Sequence, residues 1–386
     1  MLERYMAPPA KTSWTQLLQR EFFPTDRRRD IDGLRGLAVL MVVLFHAGWL
    51  RGGFVGVDIF VVISGYFMGR SALMQHPFKP VNFVCRRLYR LLPALLCMIA
   101  LVSAGMLWWL LPSDRADVAL NGAYALVYLS NIWASGHVGY FEGQSIAYPF
   151  LHTWSLSLEM QFYTIIFMMA LFLPFLRHRK WAISAICLLS FAFSMVSHLH
   201  GDTQGYYNIF DRMWQFSLGT MIWILPPLRL SRGAATLVFA AAYAMLIGAA
   251  LFYRLDFACP SYMSALPCLA VVALIMLPQT GAARIGLVPL SPVGVISYSI
   301  YLWHWPGIVV ANYLMAFQVH GWTMAAVLGI VMVVSLFSYL FVERVGLEYE
   351  KTARQDVRVR GAGFLVGACT ILALVLFSVS ATYRVH

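Results

Sequence analysis

Twelve runs of apolar residues, each long enough to form a helix, follow one another along this chain. They lie near 33–50, 55–72, 91–111, 117–134, 153–176, 181–199, 209–226, 233–253, 262–279, 290–315, 322–342 and 361–380. Short polar or basic stretches separate them, with no long linker, low-complexity tract or internal repeat. Apolar runs of this length and spacing read as membrane helices. The pattern predicts an all-α, polytopic membrane helical bundle: a single transmembrane domain over residues 31–386, preceded by a polar cytoplasmic segment over residues 1–30. Within that segment Lys11 to Phe23 reads as an amphipathic helix lying on the membrane surface.

Composition strengthens the membrane reading. The chain has 386 residues, 60% of them hydrophobic and 12% charged, with a mean hydropathy of +0.71. Water could not solvate such a surface. The formal net charge of +11 sits between the apolar runs rather than on one tail or face, which orients a membrane protein and argues against a nucleic-acid partner. Six cysteines, Cys85, Cys97, Cys187, Cys259, Cys268 and Cys369, show no metal-ligand spacing and read as small apolar residues. The polar, basic N-terminus lacks the pattern of a cleavable signal.

Charge also sets a topology. With the N-terminus inside, Arg27, Arg28, Arg29 and Arg35 are cytoplasmic, as are Lys79, Arg86, Arg87 and Arg90. If all twelve runs crossed, eleven later Lys and Arg residues, from Arg177 through Arg360, would face outward. One early run that fails to cross moves all eleven inside, which the positive-inside tendency prefers. The run 117–134 is the weakest, carrying Asn121, Gly122, Ser130 and Asn131, and reads as re-entrant or buried in protein. The expected arrangement is therefore about 11 transmembrane helices plus one non-spanning segment, with a cytoplasmic N-terminus and an external C-terminus.

Polar groups at membrane depth are costly and mark function. Arg35 and His46 lie in the first run, separated by roughly 16 Å of helix, which puts His46 near mid-bilayer or slightly beyond. Counting through the turn at Arg51 to Gly53 places Asp58 at nearly the same depth. The carboxylate is expected to orient the imidazole and raise its basicity; the plainer alternative is a helix cap beside a histidine bonded to a carbonyl. Arg86, Arg87 and Arg90 open the third run, and the last two share a helix face. They suit a phosphorylated cytoplasmic donor, or serve only as topology determinants. His152 and Glu159 lie seven residues apart on one face, with His152 at the external boundary and Glu159 about 10 Å deeper. Arg212 pairs Glu159 or faces a substrate. The run Ser297-Tyr298-Ser299-Ile-Tyr301-Leu-Trp303-His304-Trp305-Pro306 offers hydroxyls, an imidazole and indoles for a sugar-like or pantetheine-like ligand, or simply a helix packed by aromatic residues. Pro306 removes a backbone donor and frees a carbonyl.

Six of these segments, in this order, resemble the membrane-bound acyltransferase family 3, the O-acyltransferases of surface glycans and some secondary metabolites. They are Arg35 with His46; Gly53-Phe-Val-Gly-Val-Asp58-Ile-Phe-Val-Val-Ile-Ser64-Gly65-Tyr66; Arg87-x-x-Arg90; Leu151-His-Thr-Trp-Ser-Leu-Ser-Leu-Glu159; Arg212-x-Trp214; and Ser297 through Pro306. The resemblance covers roughly residues 30 to 350. It implies transfer of an acyl group, usually acetyl, from cytoplasmic acetyl-CoA or another acyl-CoA to a hydroxyl at the outer face of a bacterial inner membrane, without a metal. On that basis His46, Asp58 and Glu159 are the catalytic candidates. Arg35, Arg86, Arg87 and Arg90 face the CoA, and His152, Arg212, Tyr298, Tyr301 and His304 face the acceptor. The implied partners are acyl-CoA, a surface glycan or lipid-linked sugar, and membrane lipids; a second copy of the chain or polysaccharide-assembly proteins are compatible with it. Met160 and Gln215 depart from the family, which usually carries acids there, so no role of those carboxylates transfers. Some relatives continue into an external SGNH-type domain, which this chain is expected to lack.

Three alternatives stay open at this stage. One is acyl transfer to a small-molecule hydroxyl. A second is a covalent acyl intermediate on Ser64 or His46; Ser64, next to Gly65, reads equally as a small residue for close helix packing. The third is a transporter or acyl shuttle without transferase activity, although the inverted repeats and broken helix pairs of that class are not evident.

Overall fold

A computed structural model describes residues 28–74, 78–137, 148–173, 175–201, 203–254, 262–277, 286–316 and 318–384. All twelve apolar runs become helical, and no strand occurs among the described residues. The stretch Lys11 to Phe23 lies outside them. The helices are α1 (Arg29–His46), α2 (Val55–Gly69), α3 (Pro80–Trp109), α4 (Pro112–Leu126), α5 (Ser130–His137), α6 (Trp154–Phe172), α7 (Leu176–Leu199) and α8 (Ile209–Met221). The remainder are α9 (Arg232–Phe252), α10 (Tyr262–Met276), α11 (Ser291–Val295), α12 (Ser297–Met315), α13 (Gly321–Ser338), α14 (Arg344–Thr352) and α15 (Gln355–Arg384).

Among the described residues, six helical stretches are long and apolar enough to cross a membrane. A seventh is the pair Val288–Val295 and Ser297–Met315, bent by 64° at its break. The chain is thus a multi-pass helical membrane protein. Helices α2 and α10 are apolar but have only 15 residues each, about 22 Å of axis against a hydrocarbon core of about 30 Å. A count of eleven takes in these two together with α1 and α8.

The run 117–134 is a broken helix. α4 ends at Leu126, Tyr128 adopts a left-handed φ of 56°, and α5 resumes at Ser130. Its polar residues tie the break to neighbouring protein. Asn121 accepts from the Phe150 N–H at 2.9 Å, Ser130 bonds Thr153 at 2.7 Å, and Asn131 accepts from Gln161 at 2.8 Å. Interrupted backbone at depth is tolerated where protein satisfies it in this way.

Close packing of α2 on α8 rests on two glycines. A Cβ on Gly65 would run into the Phe216 carbonyl, and one on Gly219 into the Val62 carbonyl. Small residues that let backbones meet are the usual basis of helix pairing in membranes. Gly65, rather than Ser64, therefore supplies the small contact surface, and Ser64 is turned elsewhere. Gly219→Val is expected to destabilise the protein by about 1–3 kcal/mol or more through overpacking, read as a lower thermal transition in detergent. Gly105→Ala, where an added Cβ meets nothing within 4 Å, is the control and should be neutral; equal losses in both would remove the packing argument.

Two π-helical turns, Arg70–Met74 and Tyr339–Glu343, interrupt the regular hydrogen-bond pattern. Such turns often re-aim side chains at functional sites. Here both border the same cavity.

Candidate functional site

The C-terminal end of α1 carries His46 as its last helical residue, so it stands at the end of α1 remote from Arg29. Its Nδ1 lies 2.9 Å from Nε2 of His304 on α12, with the two rings 21° from coplanar. On its other side, His304 Nδ1 is 2.7 Å from the Tyr301 carbonyl and 3.2 Å from that of Ile300. A carbonyl only accepts, so His304 Nδ1 carries the hydrogen, and neutral His304 presents a lone pair at Nε2. His46 then donates from Nδ1, which leaves its own Nε2 as an unprotonated nitrogen able to take a proton. His46 is half-buried, with the Trp305 ring 4.7 Å away. His152 is buried beside them, its ring 5.6 Å from that of His304 and 5.4 Å from that of Tyr301.

This pairing corrects the expected His46–Asp58 couple. Asp58 is buried and turned toward α8, where its Oδ1 accepts from Arg212 Nη1 at 3.1 Å and Gln215 Nε2 at 2.8 Å. Arg212 is 1% exposed. It also donates to the Tyr206 carbonyl at 2.8 Å and to Gln215 Oε1 at 3.2 Å, and its guanidinium lies 5.0 Å from the Trp154 ring and 4.4 Å from the Tyr206 ring. A cation so enclosed is occupied by Asp58, which corrects the expected Arg212–Glu159 pair. Gln215 bridges the pair with a neutral amide, donating to one ion and accepting from the other.

Glu159, on α6, lines a narrow cavity of about 80 Å³ together with Arg35, Arg87 and Arg90. Ser64 Oγ donates to Glu159 at 2.8 Å, and the Tyr163 hydroxyl donates to it as well. Arg87 stacks over Phe83 at 5.4 Å and Tyr163 at 5.1 Å. Arg35 has Asp32 at 3.9 Å, the long end of ion pairing. Three guanidinium groups against one carboxylate leave this cavity with surplus positive charge. Arg86 is not part of it: 57% exposed, it sits 3.6 Å from Glu350, which Arg358 also holds at 2.9 Å.

A wider vestibule of about 410 Å³ adjoins the narrow cavity, sharing Arg35, Phe67 and Arg90 with it. Arg28, Arg35, Arg70, Arg90, Arg344 and Lys351 line it, against Asp32, Glu343 and Glu348. Arg70 and Glu343 come from the two π-helical turns. An excess of fixed cations in a concave site attracts phosphate-bearing ligands. Charge pattern alone marks Arg344 and Lys351 as topology signals; the structure adds that they share this vestibule with Arg28 and Arg35, and the clue in the sequence was their place just past the end of an apolar run.

Helix α12 links these places. Tyr298 and Tyr301 wall the narrow cavity, His304 holds His46, and Val309 and Asn312 wall a separate cavity of about 370 Å³ further along the helix. Tyr298 donates to the Leu91 carbonyl at 2.7 Å, and Tyr301 lies 2.6 Å from both Ser155 Oγ and the His152 carbonyl. Of the five residues expected to face an acceptor, these two tyrosines line the cation-lined cavity. His46, Asp58 and Glu159 do not meet: the first belongs to the imidazole pair, the second to the Arg212 cluster and the third to the cavity.

Among the described residues no three His, Cys, Asp or Glu side chains are grouped as metal ligands. The chain is 69% identical over its full length, and the relative's, to a Komagataeibacter xylinus protein provisionally named membrane-bound transacylase BcsY. It is 32% identical over 311 residues to the O-acetyltransferase OatA of Staphylococcus aureus, matching 73% of this chain and 51% of OatA. This chain thus spans about half the length of that relative. No solved structure matches it. The acyltransferase-domain family model matches residues 28–342, a span that holds both cation-lined cavities' walls up to α13 and the whole imidazole pair; the chain belongs to the membrane-bound acyltransferase family 3.

Proposed function

We propose that this protein moves an acyl group, acetyl in the first instance, from cytoplasmic acyl-CoA to a hydroxyl of a glycan or lipid-linked sugar at the outer face of a bacterial inner membrane. The observation that carries this reading is the continuity of the basic vestibule with the narrow cavity, whose far end is walled by Tyr301 next to His304. The phosphates of CoA suit the vestibule, and the thin pantetheine arm suits the narrow bore. In the arrangement that fits the charge pattern, eleven helices cross, the N-terminus is cytoplasmic and the C-terminus external.

The chemistry needs a base, a fixed thioester and no electron transfer. His46 Nε2 takes the proton of the acceptor hydroxyl as its oxygen attacks the thioester carbonyl carbon. The tetrahedral intermediate collapses with cleavage of the C–S bond. The imidazolium returns its proton to the departing CoA sulfur. His304 holds His46 in the tautomer that leaves Nε2 free, and Arg35, Arg87 and Arg90 hold the donor, with Glu159 fixing their arrangement.

Two measurements test this. Mass spectrometry of surface glycans with and without the gene should show loss of the acyl increment; unchanged glycans would shift the reading to a small-molecule acceptor. Purified protein should release free CoA from acetyl-CoA only when a hydroxyl acceptor is supplied, which a transporter would not do. In that assay Arg90→Ala is expected to raise the donor KM by about 10- to 100-fold, the loss of a charge-assisted bond worth about 1.5–3 kcal/mol. A donor KM that stays within twofold would detach Arg90 from the donor.

A further inference from the structure

The narrow cavity changes chemistry along its length. Phe67, Ser64, Val61, Phe60 and Val57 of α2 all line it, one face of the helix read away from the vestibule. From Phe67 to Val57 that face spans about 15 Å of axis. About 80 Å³ of free space is spread along it, so the bore is thin.

At the vestibule end, Arg35 and Arg90 line both spaces together with Phe67. In the middle, Ser64 Oγ donates to Glu159 at 2.8 Å. One turn further from the vestibule the polar groups give way to an aromatic pair: the Phe60 ring stands 6.2 Å from that of Tyr301, at an interplanar angle of 65°. Val57 and Val61 flank Phe60 on the same helix and are 4% and 5% exposed. Both are β-branched and fixed in few rotamers, so this tip has little room to give.

The two rings are held differently. The Tyr301 hydroxyl lies 2.6 Å from both Ser155 Oγ and the His152 carbonyl, and the Tyr301 carbonyl accepts from His304 Nδ1 at 2.7 Å. Swinging this ring aside would break its hydroxyl's bonds next to the imidazole pair. Phe60 has no polar side-chain atom; it is half-buried and packs against both of the large apolar clusters of the bundle. Its ring therefore contributes shape alone, neither carrying a proton nor balancing a charge.

We propose that Phe60, set against the fixed ring of Tyr301, determines the acyl length: the tip accepts acetyl and rejects butanoyl and longer chains. The assignment rests on the acyl-CoA reading above and adds the residue that selects the acyl group. A thioester whose arm lies among Arg87, Ser64 and Glu159 presents its acyl carbons to Phe60, Val57 and Val61, an apolar surface that suits them until the space ends. An extra methylene in such a pocket changes affinity by roughly 10- to 200-fold, because a well-packed wall yields only by forcing side chains off their rotamers.

The test needs no acceptor. The detergent-purified full chain is titrated calorimetrically with CoA and with its S-ethyl, S-butyl and S-hexyl thioethers, which carry the chain but cannot transfer it. S-ethyl-CoA should bind about as well as CoA, and the two longer thioethers at least tenfold more weakly than S-ethyl-CoA. Phe60→Ala should bring S-butyl-CoA at least tenfold closer to S-ethyl-CoA, and Phe60→Leu, a smaller cut, at least about threefold. The readout is a ratio of two affinities in one sample, so a variant that folds in lower yield leaves it unmoved. Thermal transitions report folding, and Phe60→Leu keeps the test open if Phe60→Ala gives no folded protein. Equal binding of all three thioethers, or discrimination unchanged in the folded Phe60 variants, overturns the proposal while leaving the donor reading in place. Failure of CoA itself to bind overturns both.

Discussion

His46→Ala is expected to lower acyl transfer by roughly 10²- to 10⁴-fold, the range a positioned general base contributes, while membrane levels and the donor KM stay near normal. The magnitude follows from the tautomer. His304 Nδ1 is committed to the Tyr301 carbonyl and its Nε2 faces His46 Nδ1, so His46 alone in the pair has a free ring nitrogen. His304→Ala should lower kcat by a smaller factor, about tenfold, with little change in KM, because His46 then loses the partner that fixes its ring while keeping the nitrogen that takes the proton. Equal collapse of kcat and membrane level in both variants would point to a structural pair. Full activity in His46→Ala would reject the base assignment outright.

Arg212→Met should be the most damaging change for folding. It leaves Asp58 buried with only Gln215 donating to it, and removal of one member of a buried pair costs about 3–5 kcal/mol. The expected result is a sharp loss of monodisperse protein and of thermal stability. The double variant Asp58→Leu with Arg212→Met removes both charges and should recover much of that loss, since apolar replacement of a buried pair is often close to neutral. A stable, well-folded Arg212→Met protein that lacks activity would return Arg212 to the substrate.

What the sequence made legible was the part written in local pattern. Each apolar run became a helix because its residues gain by leaving water whichever neighbours they meet, and Arg87 and Arg90 share a cavity because three residues on a helix share a face. Direction around the helix was not legible. Asp58 stands near His46 in count, yet lies seven residues before Gly65 and eleven before Gly69, on the stripe that packs on α8; that stripe was the available clue to where the carboxylate points. His304 is 258 residues from His46, and no local period connects them. The vestibule escaped for the same reason, being assembled from the start of α1, the end of α2, the start of α3 and the α13–α14 junction.

The two cavities on either side of the imidazole pair have no lining residue in common. Between them lie Tyr301, His304 and Trp305, 9%, 0% and 7% exposed, with His152 beside them. A bilayer that stores energy in ion gradients cannot accept an enzyme that is also a hole, because moving one charge down 100 mV releases about 2.3 kcal/mol. Under the acyl-transfer reading proposed above, the aromatic and imidazole septum serves that constraint: buried rings stand between the two cavities, and donor and acceptor meet at one nitrogen rather than in an open channel.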